Sequence, residues 1–313
     1  MTTWHARTSV PASTSNLGSG FDCVGMAVDR WLTASVEASD LWTGVRMMRA
    51  GTLTSMRLDP ARDLLYEGFA AACQRCAVPV PTGLDFQATS SIPVSRGLGS
   101  SAAALVAGAA LADAALSLGL GADGIAQLVS QVEGHPDNAA PSVFGGAMLG
   151  VSRHGAVAGG ARGYAFSQLT VHPSLAFVFA VPSLEVTTAA ARAVLPMHVS
   201  FTDAVLALQR SAALVHGLAT GDPALLTMAL DDVLHVPYRR QLVPGYDAVV
   251  TAACAAGACG ATLSGSGSAM VAITTASRSG AVERAMEQAF TAFGHDVETI
   301  VMAGAIGGMQ SET

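Results

Sequence analysis

The stretch Ile92–Gly108, IPVSRGLGSSAAALVAG, has the residue types and spacing to hold an anion. Gly97 and Gly99 permit positive φ angles and a close approach by a ligand that a side chain would block. Ser100 or Ser101 is expected to cap an Ala/Leu-rich helix whose first amides have no partner inside the helix. Free N–H groups, the positive end of the helix dipole and two small hydroxyls make a site for a compact anion such as a phosphate tail. Taken alone, the same stretch also reads as a loop and a capped structural helix, since glycine and serine are common punctuation.

The basic residues narrow the chemistry, because all 16 are arginine. A Walker phosphate loop, a protein kinase and Schiff-base catalysis each need a lysine, so these classes are excluded. A nucleotide held here is held by backbone amides, serines and a metal. EGHPDNAAPSVFGGAML places Glu133, His135, Asp137 and Asn138 inside an otherwise apolar region. Glu133 can offer a hard carboxylate to magnesium, whereas Pro136-Asp137-Asn138 alone is a β-turn. In Pro11–Asp29, Asn16 and Asp22 either turn the chain through their own backbone or present polar groups to a small substrate. A third small-residue segment is GACGATLSGSGSAMVAITT near the C-terminus.

Elements that position these residues follow from the surrounding pattern. A first strand over 6–12 is expected to enter a turn, and a strand meander fills 30–60, ending in TSMRL. Helices are expected from Asp63 to Ala77, through 118 after the glycine loop, and from a cap at Asp123 to Glu133. The Gly-rich segment 152–163 marks a boundary, giving domains 1–162 and 163–313. Beyond it lie a helix opened by threonine after Glu185, helices over 201–219 and 222–233 with Asp222-Pro223 as cap and first turn, a helix over 247–257 and a strand over 269–274. The tail is expected to fray.

Composition sets outer bounds. With 313 residues, 51% hydrophobic and 12% charged, the chain can bury a full core. A net charge of −7 with no basic stripe argues against nucleic acid. No apolar run approaches the roughly 20 residues needed to cross a membrane, and no signal peptide is indicated, so a cytoplasmic location is expected. Five cysteines form no disulfide framework, and Cys73 and Cys76 lack the second pair of a zinc site.

Three small-residue motifs in this order resemble the GHMP small-molecule kinases: Pro11–Asp22, the PxxxGLGSS loop of Pro93–Ala102, and Gly260–Ser268. Within that superfamily the chain is most similar to the homoserine kinase family. VPASTSNLGSGFD is close to that family's VPATSANLGPGFD. Gly134–Asn138 resembles its HPDN segment, Ser183–Arg192 its PS.EVST..AR stretch, and Pro237-Tyr238-Arg239 its PYR. Ser19 and Ser268 stand where relatives have proline, which should change loop stiffness. Arg96 stands where many have a small residue, and can reach a phosphate or lie in solvent.

The resemblance implies a two-domain α+β fold: an N-terminal nucleotide-binding α/β domain, a C-terminal ferredoxin-like α/β sandwich, and an active site in the cleft between them. ATP would lie on Pro93, Val94, Ser95, Arg96, Gly97, Leu98, Gly99, Ser100, Ser101, Ala102 and Ala103. Ser100, Ser101 and Glu133 match magnesium positions. Asn16, Asp22, His135, Asp137, Asn138, Arg192 and Arg239 match positions lining an amino-acid site, with Asp22, Asn138, Arg192 and Arg239 as the catalytic set. Ser264, Gly265, Ser266 and Gly267 form the structural third motif. The implied reaction moves the γ-phosphoryl group of ATP to the hydroxyl of L-homoserine, in threonine biosynthesis. The two arginines suit an α-carboxylate. Sugar and mevalonate relatives carry an aspartate base where this chain has Asn138, an amide that can orient but not accept a proton. Partners are small molecules, with room for a homodimer and none for nucleic acid or membrane. The alternatives are a GHMP kinase for threonine, mevalonate or a sugar, and a non-catalytic metabolite-binding relative.

Overall fold

The computed structural model describes residues 3–153 and 163–312. β1 (Thr3–Asn16) and β2 (Gly20–Ser39) form a long antiparallel hairpin. The turn expected after residue 12 does not occur there. A register shift between Pro11 and Ala12 absorbs the proline, and the chain continues to Asn16. Asn16, Leu17 and Gly18 then turn it with φ of 71°, 45° and 76°. Asparagine and glycine tolerate that left-handed region, and their position in the sequence fixes where the hairpin folds.

β3 (Gly44–Gly51), α1 (Leu64–Arg75) and β4 (Gly83–Ser90) follow. β3 pairs parallel to β4, so the expected meander is replaced by a crossover through α1, as parallel pairing requires. Residues 54–58, TSMRL, form no strand. The segment is exposed apart from half-buried Met56, and lacks the alternation that would bury one face.

α2 (Ser100–Leu116) is the central helix. Its alanines and leucines are buried nearly all round, as a helix enclosed by other elements must be. Small residues let α1 cross it closely: a Cβ on Gly108 would lie 2.0 Å from the Leu65 carbonyl oxygen, and one on Gly68 would lie 2.2 Å from that of Leu105. α3 (Gly121–Glu133) follows. Asp123 lies in its first turn and does not cap it. Asp113 takes that role from the preceding helix, accepting from Leu120 N at 2.8 Å and Gly121 N at 3.1 Å. α4 (Ala139–Phe144), β5 (Ala147–Arg153) and β6 (Gly163–Leu169) complete this half.

The second half contains β7 (Leu175–Pro182), α5 (Thr188–Ala193), α6 (Phe201–Thr220), α7 (Pro223–Leu230) and α8 (Val236–Arg239). α9 (Tyr246–Ala255), β8 (Gly260–Leu263), β9 (Met270–Thr275), α10 (Ser279–Thr291), β10 (Val297–Met302) and β11 (Gln310–Glu312) follow. Thr187 and Asp222 cap α5 and α7 through their side chains.

The described residues form two sheets. One runs β11-β1-β2-β4-β3 with β5 on β2 and β6 on β5; the other is antiparallel, β10-β7-β9-β8, and packs on α9 and α10. β6, although it follows residue 162, belongs to the first sheet through β5. Most of the Gly-rich connection, 154–162, lies outside the described residues. The tail is not frayed. β11 pairs with β1, and Thr8 Oγ1 donates to Gln310 O at 2.8 Å.

Candidate active site

The loop from β4 to α2 turns through left-handed angles at Ser95 (56°), Gly97 (75°) and Gly99 (65°). Neither Ser100 nor Ser101 caps α2. Gly99 holds the capping position without a side-chain bond, because both serines already lie within the helix. The first-turn amides thus have no side-chain partner, which leaves them for an anion. Gly97 is required sterically, and Gly99 by its positive φ and the crowding of Ser13. A Cβ on Gly97 would lie 2.1 Å from Ser264 O, and one on Gly99 would lie 2.1 Å from Ser13 Oγ.

The third motif ties this loop to the first. Ser264 Oγ donates to Gly97 O at 2.7 Å and lies 2.9 Å from Thr14 Oγ1. Gly265 N donates to Ser15 O at 3.1 Å, and Asn16 Nδ2 to Gly265 O at 2.9 Å. Ser268 Oγ donates to the Leu184 carbonyl. The serine at position 19 also has a use, since its amide donates to Ala229 O at 3.1 Å, a bond proline could not make.

A cleft of about 390 Å³ joins the loop to a polar pocket. Asn16, Asp22, Glu133, His135, Asp137, Asn138, Arg192 and Arg239 all line it with Ser100 and Ser101. Arg192 meets Asp22 through Nη2–Oδ1 at 2.9 Å and Nη1–Oδ2 at 3.3 Å. Both guanidinium groups lie over the Phe21 ring, Arg239 at 5.1 Å and Arg192 at 6.0 Å. Asn138 is oriented by two hydroxyls: Ser13 Oγ donates to its Oδ1 at 3.1 Å, and its Nδ2 donates to Ser15 Oγ at 3.3 Å.

His135 Nδ1 lies 2.6 Å from Asp137 Oδ1. Burial disfavours its charge, but the bond to Asp137 and the carboxylates of Asp137, Glu133 and Asp22 carry its pKa up to about 9. Burial pushes the Glu133 carboxyl up to about 7, with His135 opposing and Ser101 donating a hydrogen bond. Glu133 Oε2 is buried without a hydrogen-bond partner, so the residues fit a hard cation beside the helix N-terminus. Asp22, His135 and Asp137 place ligand-type atoms within 4.8 Å of one another. Arg192 already faces Asp22, which suits that cluster to a substrate ammonium or hydroxyl.

Several expected phosphate-loop side chains face elsewhere. Arg96 turns to the opposite lobe, donating to Pro182 O, Ser183 O and Val94 O and pairing with Glu185 at 3.2 Å. Leu98 and Ala103 are buried, and Ala103 N already bonds Gly99 O at 2.9 Å. Ser15, Thr187 and Thr188 also line the cleft, while Ser13 bonds Asn138 and Phe21 lies under both guanidinium groups; the serines before Asn16 are the sequence signal for the first and fourth of these. Next to the cleft lies a largely apolar cavity of about 260 Å³, lined by Met47, Leu53, Met56, Leu58, Ile92 and Val94 and sharing Ser95, Ser100 and Ser101 with it.

Unpartnered helix N-terminal amides set against a polar pocket in a two-sheet α+β fold are the arrangement of a small-molecule kinase. The chain matches the GHMP kinases N terminal domain over 63–146 and the GHMP kinases C terminal domain over 214–292. It is 38% identical over 309 residues to a Synechococcus homoserine kinase, covering 98% of this chain and 97% of that one. A Nostoc homoserine kinase is 39% identical over 287 residues, with 90% of each chain covered. The crystal structure of the Cytophaga hutchinsonii homoserine kinase superposes with a TM-score of 0.85 at 27% identity, covering 98% and 97% of the two chains. The chain belongs to the homoserine kinase family of the GHMP kinases.

Proposed function

We propose that the chain transfers the γ-phosphoryl group of ATP to the side-chain hydroxyl of L-homoserine, giving O-phospho-L-homoserine and ADP. The carrying observation is the convergence of Arg192, Arg239, Asp22 and Asp137 in the cleft that the α2 N-terminus enters. An α-amino acid presents one carboxylate and one ammonium, and this pocket offers guanidinium groups for the first and carboxylates for the second.

The α2 amides and the Ser95–Ser101 backbone bind the phosphates, while the apolar cavity of Met47, Leu53 and Ile92 takes the purine ring. Glu133 with Ser100 or Ser101 would hold magnesium. When bound, that ion screens the phosphate charge and orients the γ-phosphoryl group. Asn138, fixed by Ser13 and Ser15, hydrogen-bonds the hydroxyl and aims it in line. The new bond joins the hydroxyl oxygen to γ-phosphorus as the bond to the ADP oxygen breaks. The transition state is loose, so the hydroxyl keeps its proton until late, passes it to an oxygen of the transferred phosphoryl group and thence to solvent, and needs no strong base. Positioning and electrostatics supply the rate.

The test is ADP release with magnesium and ATP on L-homoserine, L-threonine, L-serine, mevalonate and galactose. Turnover on L-homoserine alone is expected. Preference for another alcohol would retain the phosphate site and discard the acceptor; no turnover with retained ATP binding would point to a non-catalytic relative. Cytoplasmic residence belongs to the same reading, supported by five free cysteines. So does a homodimer, supported by exposed Phe201 and Leu208 on α6 and tested by light scattering. Among the described residues no helix is long and apolar enough to cross a membrane.

A further inference from the structure

His235 is fully enclosed behind the cleft, and nothing in the reaction above uses it. Its ring nitrogens face partners of fixed character. Nε2 lies 3.0 Å from the Gly18 carbonyl oxygen, which can only accept, and Nδ1 lies 3.4 Å from Arg239 Nη1, which can only donate. The imidazole is therefore the neutral Nε2–H tautomer. Burial favours that neutral form and lowers its pKa, against the opposing pull of Asp232.

The surroundings leave the ring little freedom. Asp232 Oδ2 accepts from the amides of Leu234, His235 and Val236 at 3.0, 2.6 and 2.8 Å, pinning the start of α8. The Phe21 ring stacks on the imidazole at 4.9 Å, and the same ring carries the Arg239 guanidinium. Arg239 Nε donates to Ala191 O at 3.1 Å and Nη1 to Gly265 O at 3.4 Å. His235 Nδ1 is the one side-chain acceptor on Arg239 among the described residues.

We propose that His235 is a positioning residue for the amino-acid site: its Nδ1 sets the rotation of the Arg239 guanidinium toward the substrate carboxylate, and the bond from its Nε2–H to Gly18 O serves to fix the tautomer that leaves Nδ1 an acceptor. A guanidinium grips a carboxylate through a planar fork, so its rotation governs binding. The inference rests on the proposed carboxylate role of Arg239.

Three variants of the full chain separate positioning from packing. His235→Asn keeps an acceptor near Nδ1, His235→Gln keeps a donor near Nε2, and His235→Leu keeps neither. The readout is the ratio of kcat/KM on L-homoserine to that on 3-aminopropan-1-ol, which lacks the carboxylate. This ratio does not depend on the active fraction, so a poorly folding variant still reports. The ratio should fall about tenfold or more in His235→Gln and His235→Leu. In His235→Asn it should stay within about threefold of the starting protein, with the KM for ATP steady in all three. Equal loss in all three variants, or no loss in His235→Leu while Arg239→Gln lowers the ratio, overturns the role of His235 and leaves that of Arg239. An unchanged ratio in Arg239→Gln overturns the carboxylate grip itself and the inference with it.

Discussion

Asp22 Oδ1 and Arg192 Nη2 lie 2.9 Å apart although 170 residues separate them in the chain. This contact joins the start of β2 to α5 across the mouth of the cleft. In the proposed reaction both groups have other work, since the substrate's ammonium and carboxylate would part them. The pair is partly exposed, so its own contribution to stability is within about 1 kcal/mol. Asp22→Asn and Arg192→Leu should therefore melt within a few degrees of the starting protein. Each removes a charge-assisted bond to substrate, so the KM for L-homoserine should rise roughly 10- to 100-fold with the KM for ATP steady. Steady-state kinetics decides it; a rise confined to ATP would remove both residues from the amino-acid site.

Gly97 and Gly99 both have positive φ. A methyl on Gly97 would meet the Ser264 carbonyl oxygen at 2.1 Å; one on Gly99 would meet the Ser13 hydroxyl at 2.1 Å, with the Ser13 carbonyl oxygen at 3.0 Å, so either the turn strains or Ser13 gives up its place beside Asn138. Gly99→Ala should cost about 1–3 kcal/mol of stability and raise the KM for ATP more than about tenfold. Thermal melts and ATP titration measure both. A Gly99→Ala protein with normal ATP kinetics would show that phosphate does not lie on this turn.

Asn138 is held by Ser13 and Ser15, so its amide direction is set before substrate arrives. Asn138→Ala should lower kcat about 10- to 100-fold with little change in the KM for ATP. Near-full turnover would remove its orienting role. Ser13→Ala should give a smaller loss in the same parameter, because only one of the two bonds is lost.

The positive-φ loop before α2 and the polar cluster were legible because their signals are local: a glycine that needs positive φ, an amide before a helix, a carboxylate in apolar sequence. The hairpin turn was expected four residues too early, because Pro11 reads as a stop where a register shift absorbs it. The two halves of the fold followed from the resemblance. Contacts that hold the site together were not legible. Asn138 meets Ser13 across 125 residues, and a serine in a strand gives no sign of its distant partner. The cavity of Met47, Leu53 and Met56 uses residues that any core contains. From the sequence Arg96 can face a phosphate or solvent, whereas in the fold the carbonyls of Pro182 and Ser183 claim it. The parallel pairing of β3 with β4 depends on where α1 crosses, and strand propensity does not report that.

Burial pushes the Cys23 thiol up to about 11, with the carboxylates of Asp137 and Asp22 adding, and burial does the same for Cys73 beside Cys76. An unfolded thiol loses its proton near pH 9. Between that value and about 11 the folded chain therefore binds more protons than the unfolded one, and stability falls as pH rises. Below pH 9 this contribution is fully present. Urea midpoints should be lower at about pH 10 than at about pH 8, and iodoacetamide at about pH 8 should label exposed Cys254 before Cys23 or Cys73. Rapid labelling of Cys73 in the folded protein would contradict its burial.

Glu133 separates binding of a cation from packing. Its Oε2 is buried without a partner, so in the metal-free protein the carboxylate is a poorly compensated charge. Glu133→Gln keeps the shape and the Ser101 neighbour but removes that charge. The metal-free variant should melt at the same temperature as the starting protein or higher, and magnesium should no longer raise its melting temperature, since a ligand stabilises only the state that binds it. Turnover should fall about 100-fold or more, because the screening of phosphate charge is lost while the amino-acid pocket is intact. The KM for L-homoserine should therefore stay near its original value. A metal-free variant melting several degrees lower would make Glu133 a structural carboxylate, and magnesium would then have to be held by the serines and the nucleotide alone.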